Sequence, residues 1–214
     1  PQGKQYVGTV IWRTEAVKVP AGQPPDIGVR ADIDIPERNL KMSLSIRRNT
    51  DASLPASHTA ELTFVLPPDF GTTIANVPGI LMKSNEQARG TPLAGLAVKV
   101  TDGFFLVGLS NVEADKSRNL QLLKERSWFD IPLVYANQRR SIIAIEKGAP
   151  GERAFNEAFT AWGQSYHEDH ACRLAPLRRG DAEHDARPWH RCDPRGGRRR
   201  RRPACRRGPR CGDR

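Results

Sequence analysis

From Leu40 to Arg47 the chain alternates apolar and polar residues at every position. Successive side chains of a β-strand point to opposite faces of a sheet, so this pattern is typical of a strand with one buried face and one face in water. The same alternation recurs at Ala60, Leu62, Phe64 and Leu66. The pattern predicts a fold built from strands that lie on a core.

Other apolar runs of strand length are separated by turn residues. The additional predicted strands cover residues 6–12, 29–35, 77–82, 96–100, 104–109, 129–135 and 141–145. Asp102-Gly103 stands between two of these runs, which indicates a tight hairpin. Short strands at this spacing favour a mainly β fold, an antiparallel β-sandwich or a barrel-like sheet of about eight strands.

A first helix is predicted after the strand that ends near residue 109. Ser110 or Asn111 can supply its N-cap, because short polar side chains accept hydrogen bonds from free helical N–H groups. The helix is expected to continue to about Arg126. Its predicted buried stripe consists of Val112, Leu120 and Leu123.

A second helix is predicted over residues 152–162, with Pro150-Gly151 as its start and Gly163 as its end. The spacing of its aromatic residues places them on one helical face. This face is expected to pack on the sheet of the same domain, so both helices are peripheral to the strands. The predicted core consists of Leu44, Ile46, Leu62, Phe64, Phe105, Leu109, Ile131, Ile143, Phe155, Phe159 and Trp162.

The composition changes sharply at residue 164. Residues 1–164 carry 19 Lys and Arg against 17 Asp and Glu, whereas residues 165–214 carry 15 against 7, and all 15 are arginine. The formal net charge of +10 is therefore mostly in the tail. We predict a β-rich domain over 1–164 and a disordered Arg-rich tail over 165–214, since so few apolar residues cannot offset the entropy of ordering.

The composition of the tail is compatible with two origins. The tail contains no Ile, Val, Met, Phe, Thr, Asn, Gln or Lys. The residue types that it does contain are those that GC-rich DNA encodes when it is translated in the wrong frame. Out-of-frame translation is therefore the favoured interpretation. The alternative is a genuine basic arm, because guanidinium groups bind phosphates through paired hydrogen bonds and would let the tail bind nucleic acid.

The cysteines do not have the spacing of a structural zinc site. All four lie in the tail, at Cys172, Cys192, Cys205 and Cys211. Zinc ligands in such sites come in close pairs of the C-x2-4-C type, which this spacing lacks. No metal, cofactor or catalytic residue is predicted.

The inventory of catalytic side chains is small. Asp32 and Asp34 alternate with isoleucines, which places both carboxylates on one strand face about 7 Å apart, and paired carboxylates can perform hydrolysis. His58 is the one histidine before residue 165. The adjacent Ser57 is expected to point to the opposite face, so the two are not expected to act together. An enzyme is therefore the less favoured class.

Several segments carry a resemblance to a known group of proteins. They are 1–4, 12–15, 47–51, 54–59, 76–80 and 146–151. In these segments the chain resembles the C-terminal domain of uncharacterised proteins from rhizobial alphaproteobacteria, some of which carry an automatic label as signal-transduction histidine kinases. The chain before residue 165 has neither a G-x-G motif nor a histidine in the predicted helices, so the kinase label is not adopted. The group has no established activity, so the resemblance transfers no catalytic residue.

The resemblance implies a longer parent chain, with a membrane anchor upstream of Pro1 and a periplasmic or membrane-associated location. The chain itself contains no apolar window of spanning length. We therefore expect a non-catalytic interaction or structural module of a larger, membrane-anchored envelope protein, with a protein partner. The alternatives are a hydrolase that uses Asp32 or Asp34, and nucleic-acid binding through the Arg-rich tail.

Overall fold

The computed structural model describes residues 4–19, 22 and 25–164, so the predicted tail lies outside the described residues. The fold is mainly β, with antiparallel sheets and two helices. Its strands are β1 (Thr9–Val17), β2 (Asp26–Ile35), β3 (Leu40–Arg48), β4 (Ala56–Val65), β5 (Ile74–Asn76), β6 (Leu81–Lys83), β7 (Thr91–Pro92), β8 (Gly95–Thr101), β9 (Phe104–Ser110), β10 (Trp128–Tyr135) and β11 (Arg140–Glu146). The helices are α1 (Glu113–Glu125) and α2 (Gly148–Ala161).

Six strands form the larger sheet, in the order β1-β2-β3-β4-β9-β8. The register places buried residues of neighbouring strands side by side on the inner face. One such row is Ala31, Leu44, Leu62 and Phe105. The alternation in the sequence is thus explained, because every second residue of these strands meets the core.

The smaller sheet has the order β11-β10-β6-β7, and β5 also pairs with β10. One apolar cluster joins both sheets to α2. Trp12 on β1 lies 5.6 Å from Phe129 on β10 and 5.8 Å from Phe155 on α2, measured between ring centroids. The indole N–H of Trp12 donates to the carbonyl of Glu146 at 2.8 Å, so its polar atom is satisfied inside this contact.

The mainly β class and the two helices are confirmed, and all eleven predicted core residues are buried. Of the strands above, eight have at least seven residues. The predicted strand over 77–82 is wrong. Residues 77–80 connect β5 to β6, and only Leu81 and Met82 lie in a strand, because Pro78 cannot donate to a ladder and Gly79 adopts a φ of +155°, which breaks the extended path.

The start of α1 differs from its prediction. Val112 is the N-cap and is 60% exposed, so it does not belong to the buried stripe. The Ser110 hydroxyl accepts the Val112 N–H at 3.3 Å and donates to Asp115 at 2.9 Å, which stabilises the turn before the helix. The buried side of α1 consists of Asn119, Leu120, Leu122 and Leu123.

The second helix begins at Gly148, four residues before its predicted start. Pro150 lies in the first turn, where its missing N–H leaves no intrahelical bond unmade. The predicted end is confirmed, since Gly163 follows the helix with a φ of +71°. Trp162 is buried and its indole N–H donates to the Ile27 carbonyl at 2.9 Å, which fastens the end of α2 to β2.

Candidate functional site

The two predicted carboxylates lie on the outward face of the larger sheet. Asp32 accepts hydrogen bonds from Arg13 on β1 and, at 3.0 Å, from Nε of Arg30. Asp34 stands opposite Lys41 of β3. The two acids thus share a face, as predicted, but that face is open to solvent and carries basic neighbours. This is the arrangement of an ion-paired sheet surface.

His58 lies near the start of β4, faces the core and is 3% exposed. Its ring centroid lies 4.8 Å from that of Trp162. Burial and, to a smaller extent, the positive charges of Lys116 and Arg48 lower the pKa of His58 to about 4, although the charge of Asp26 opposes this shift. The side chain is therefore neutral at neutral pH.

Ser57 and His58 are closer than the alternation of a regular strand allows. Oγ of Ser57 lies 3.2 Å from Nδ1 of His58, because the pairing of β4 with β9 shifts register between Ala56 and His58. The prediction that they point apart is therefore wrong. A serine–histidine pair needs a third group to orient the base. Within the described residues Nε2 of His58 has no hydrogen-bond partner, and the nearby Asp26 is paired with Arg48 at 2.9 Å.

The sequence analysis did not predict that Lys147 is buried. Lys147 is 2% exposed, and its ammonium donates to the Leu123 carbonyl in the last turn of α1, where the helix dipole favours a positive charge. It also lies 4.5 Å from the ring centroid of Phe155 and 5.7 Å from that of Phe129. Burial lowers the pKa of Lys147 to about 8, and Glu152 opposes this shift.

The sequence did contain a signal for this lysine. Ile143 and Ile145 point inward from β11, and Lys147 continues the same two-residue period. A charged residue in the third inward position indicates a buried cation. Its contacts join the end of α1 to the start of α2, which is a structural role.

A second buried lysine, Lys83 on β6, pairs with Asp130 on β10 at 2.7 Å. Its ammonium also donates to the Glu86 carbonyl at 2.7 Å. These bonds satisfy the charge within the smaller sheet and its following turn.

A cleft of about 310 Å³ lies between α1 and α2. Its lining residues are Glu113, Lys116, Ser117, Leu120, Gln121, Lys124, Phe159 and Gln164. Asp32, Asp34, His58 and Lys147 do not line it, so none of the candidate catalytic groups meets in this concavity. Among the described residues, no group of three or more His, Cys, Asp and Glu side chains is placed to hold a metal ion.

The most unusual surface of the domain is at the β8 edge of the larger sheet. Leu96, Val98 and Val100 are 72%, 50% and 50% exposed. Leu96 and Val98 point to the outward face, and Val100 lies at the irregularity between Lys99 and Thr101. On the neighbouring β9, the half-buried Leu106 stands opposite Val98, and Phe104 stands opposite Thr101. These five apolar residues, Leu96, Val98, Val100, Phe104 and Leu106, are called the β8 face below.

The edge strands β1, β11 and β7 carry the usual protection against pairing with foreign strands. On β1, Arg13 and Glu15 flank the outward face and make ion pairs. On β11, the exposed Ile142 stands between Arg140 and Glu146.

The edge strand β7 has two residues, one of them a proline. On β8, by contrast, the one charged residue is Lys99, which points away from the β8 face and pairs with Asp102 at 2.6 Å. The outward face of the β8 edge is therefore apolar, and its protection consists of the inward-pointing Lys99 and the irregularity between Lys99 and Thr101.

No helix in the described part of the chain is long and apolar enough to cross a membrane. No protein-family model, curated protein or solved structure matches the chain.

Proposed function

We propose that this chain is a non-catalytic interaction module that binds a protein partner along β8. The supporting observation is a sheet edge with free backbone groups that carries three exposed apolar side chains, Leu96, Val98 and Val100. A partner segment in extended conformation adds to the sheet as a further strand.

Strand addition uses the free backbone groups of this edge and its apolar side chains. The backbone N–H and C=O groups of β8 that point away from β9 have no strand partner among the described residues, and such groups bind an incoming strand through main-chain hydrogen bonds. The apolar side chains select a partner with apolar residues at alternate positions, since cross-strand pairs of this kind stabilise a sheet. Burial of apolar area adds about 25 cal/mol per Å².

The wider context of this proposal comes from the resemblance. It implies that the module belongs to a larger, membrane-anchored envelope protein and lies in the periplasm or at the membrane. In that setting the interaction joins envelope proteins or repeated copies of one protein.

The proposal is tested by the size of the native assembly. The full-length parent protein, tagged in its own cell, is compared with its Val98→Glu variant by native gel electrophoresis and size-exclusion chromatography. Because a buried, unpaired carboxylate opposes strand addition at this face, the variant is expected to lose the larger assembly.

Ile142→Glu is the matched control, because Ile142 is also an exposed apolar residue in the middle of an edge strand. It is expected to keep the assembly. Equal assembly sizes for the wild type and Val98→Glu, or equal loss in both variants, would rule out β8 as the contact surface.

A further inference from the structure

The end of α2 is fastened to the larger sheet through Trp162. Its indole N–H donates to the Ile27 carbonyl of β2 at 2.9 Å, and its ring centroid lies 4.8 Å from that of His58 on β4. Both rings are buried. The first half of the helix is held elsewhere, because Phe155 packs on Trp12 of β1. The two ends of α2 therefore depend on different contacts with the strands.

The neutral ring of His58 makes a hydrogen bond through one of its two nitrogens. Nδ1 lies 3.2 Å from the Ser57 hydroxyl, which itself donates to the Leu109 carbonyl at 3.4 Å. Since that hydroxyl proton is used, the oxygen accepts a hydrogen bond from Nδ1–H, and the lone pair of the neutral ring is on Nε2. Nε2 is buried and has no hydrogen-bond partner among the described residues. A second proton on the ring would therefore lie on a buried nitrogen that has no acceptor.

The charged groups around His58 also oppose an imidazolium. Arg48 on β3 and Lys116 on α1 are positive, and Asp26 on β2 is negative. Both oxygens of Asp26 are already used, because Oδ2 accepts from Nε of Arg48 at 2.9 Å and Oδ1 accepts a backbone N–H at 2.9 Å. From α2 the ring meets the uncharged Trp162. Protonation would thus add a third positive charge to a buried cluster that holds one acid.

We infer that the end of α2 is an acid-released latch, in which protonation of His58 detaches Trp162 from the larger sheet. A buried cation without an acceptor is costly, and the cost is relieved when Trp162 moves away and water reaches the imidazolium. Because Phe155 and the first half of the helix keep their own contacts, the opening is confined to the last turn of α2 and the residues after it. Helix ends of this kind open at a lower free energy than the whole fold.

The expected size of the effect follows from the pKa of His58 in the two states. The pKa is about 4 in the closed state, whereas a ring in water has the ordinary value of 6.5. Between these values the opened state binds a proton that the closed state does not, so opening becomes more favourable as the pH falls. From pH 7 to pH 5 the equilibrium constant for opening should increase about 20-fold.

Hydrogen exchange of the full 214-residue chain tests the latch. The amides of residues 162–164 donate to carbonyls in the last turn of α2, so peptides covering 158–164 report its opening by mass spectrometry. Their protection factor should fall about 20-fold from pH 7 to pH 5 in the wild type and less than about threefold in His58→Gln. Low urea concentrations should leave the fall unchanged, because local opening exposes little surface. Circular dichroism at pH 7 checks that the variant is folded.

Lys116→Gln is a second test that leaves the histidine in place. Loss of this positive charge raises the pKa of His58 in the closed state toward its ordinary value, so the fall in protection should be smaller than in the wild type. Lys41→Gln is the matched control, because it removes an equal charge at the exposed start of β3. It should keep the fall of the wild type.

Two results would overturn the inference. One is an equal fall in protection in the wild type and His58→Gln, and the other is a fall in the wild type that occurs only together with exchange of the core strands. If His58→Gln does not fold, the comparison of Lys116→Gln with Lys41→Gln decides: a smaller fall in Lys116→Gln supports the latch, and equal falls contradict it.

Discussion

His58 is a basic side chain in a site that disfavours its protonated form. Its neighbours on the surrounding elements are Arg48 on β3 and Lys116 on α1, with Asp26 on β2 as the nearby acid. Its pKa of about 4 in the folded state lies below the ordinary value of 6.5. Between these values the unfolded chain binds a proton that the folded chain does not, so folding stability falls as pH decreases from 6.5 through 4.

The corresponding prediction concerns His58→Gln. Linkage attributes a loss of roughly 2 kcal/mol between pH 7 and pH 5 to this one group in the wild type. Between pH 7 and pH 5 the His58→Gln variant should therefore lose roughly 2 kcal/mol less stability than the wild type. Urea unfolding at the two pH values measures the difference, and an equal loss in both proteins would show that His58 is not buried in neutral form.

Lys147 changes stability in the same direction as His58 but in a higher pH window, because a lysine titrates at high pH. Its pKa of about 8 in the folded state is below the ordinary 10.5, so the unfolded chain binds more protons between pH 8 and 10.5. Stability therefore rises with pH in that window. Relative to Lys147→Met, the wild type should gain roughly 2 kcal/mol between pH 7.5 and pH 9.5, as measured by urea unfolding of both proteins.

A size-matched comparison separates charge from packing at the same position. Lys147→Ala leaves a cavity and an unpaired Leu123 carbonyl and should cost about 2 to 4 kcal/mol. Lys147→Met fills the space and should cost less than Lys147→Ala. Equal costs would mean that the aliphatic part of Lys147 does not pack as described.

At the scale of elements, one side chain fixes α1 to the segment that leads into β8. Asn119 is 1% exposed, accepts the Ala94 N–H at 2.8 Å and donates to the Ala94 carbonyl at 2.7 Å. Asn119→Ala leaves these buried groups with fewer partners and should cost about 2 to 3 kcal/mol.

Chemical denaturation measures that cost, and hydrogen exchange should show faster exchange at the Ala94 amide. Gln121→Ala on the exposed side of α1 is the control. Gln121 bonds only to Glu125 one turn later, so its loss should stay within about 0.5 kcal/mol. A similar cost for both variants would contradict the anchoring role of Asn119.

The same scale shows what sequence reasoning can and cannot predict. The long strands were predictable, because a two-residue period of apolar residues is enforced wherever one sheet face meets the core. A strand was wrongly predicted over 77–82 because the segment is as apolar as a strand. Pro78 and Gly79 nevertheless interrupt its extended backbone. Val112 misled because an N-cap residue lies outside the helix, where its side chain need not follow the buried stripe.

The whole molecule adds information that no single segment contains. The run Leu96 to Val100 was predicted as a strand, but its sequence does not reveal that it lies at a sheet edge. Only the strand order makes its apolar residues exposed and its backbone available. The buried contacts of Asn119 and Lys147 likewise depend on partners 24 or 25 residues away in the chain.

Site-specific photo-crosslinking tests the central claim, that β8 is a contact surface, most directly. A benzophenone amino acid replaces Val98 or, as the control, Ile142 in the 214-residue chain expressed in cells. The account predicts a protein adduct at position 98 and much less adduct at position 142. The absence of any protein adduct at position 98, or equal yields at both positions, would contradict it.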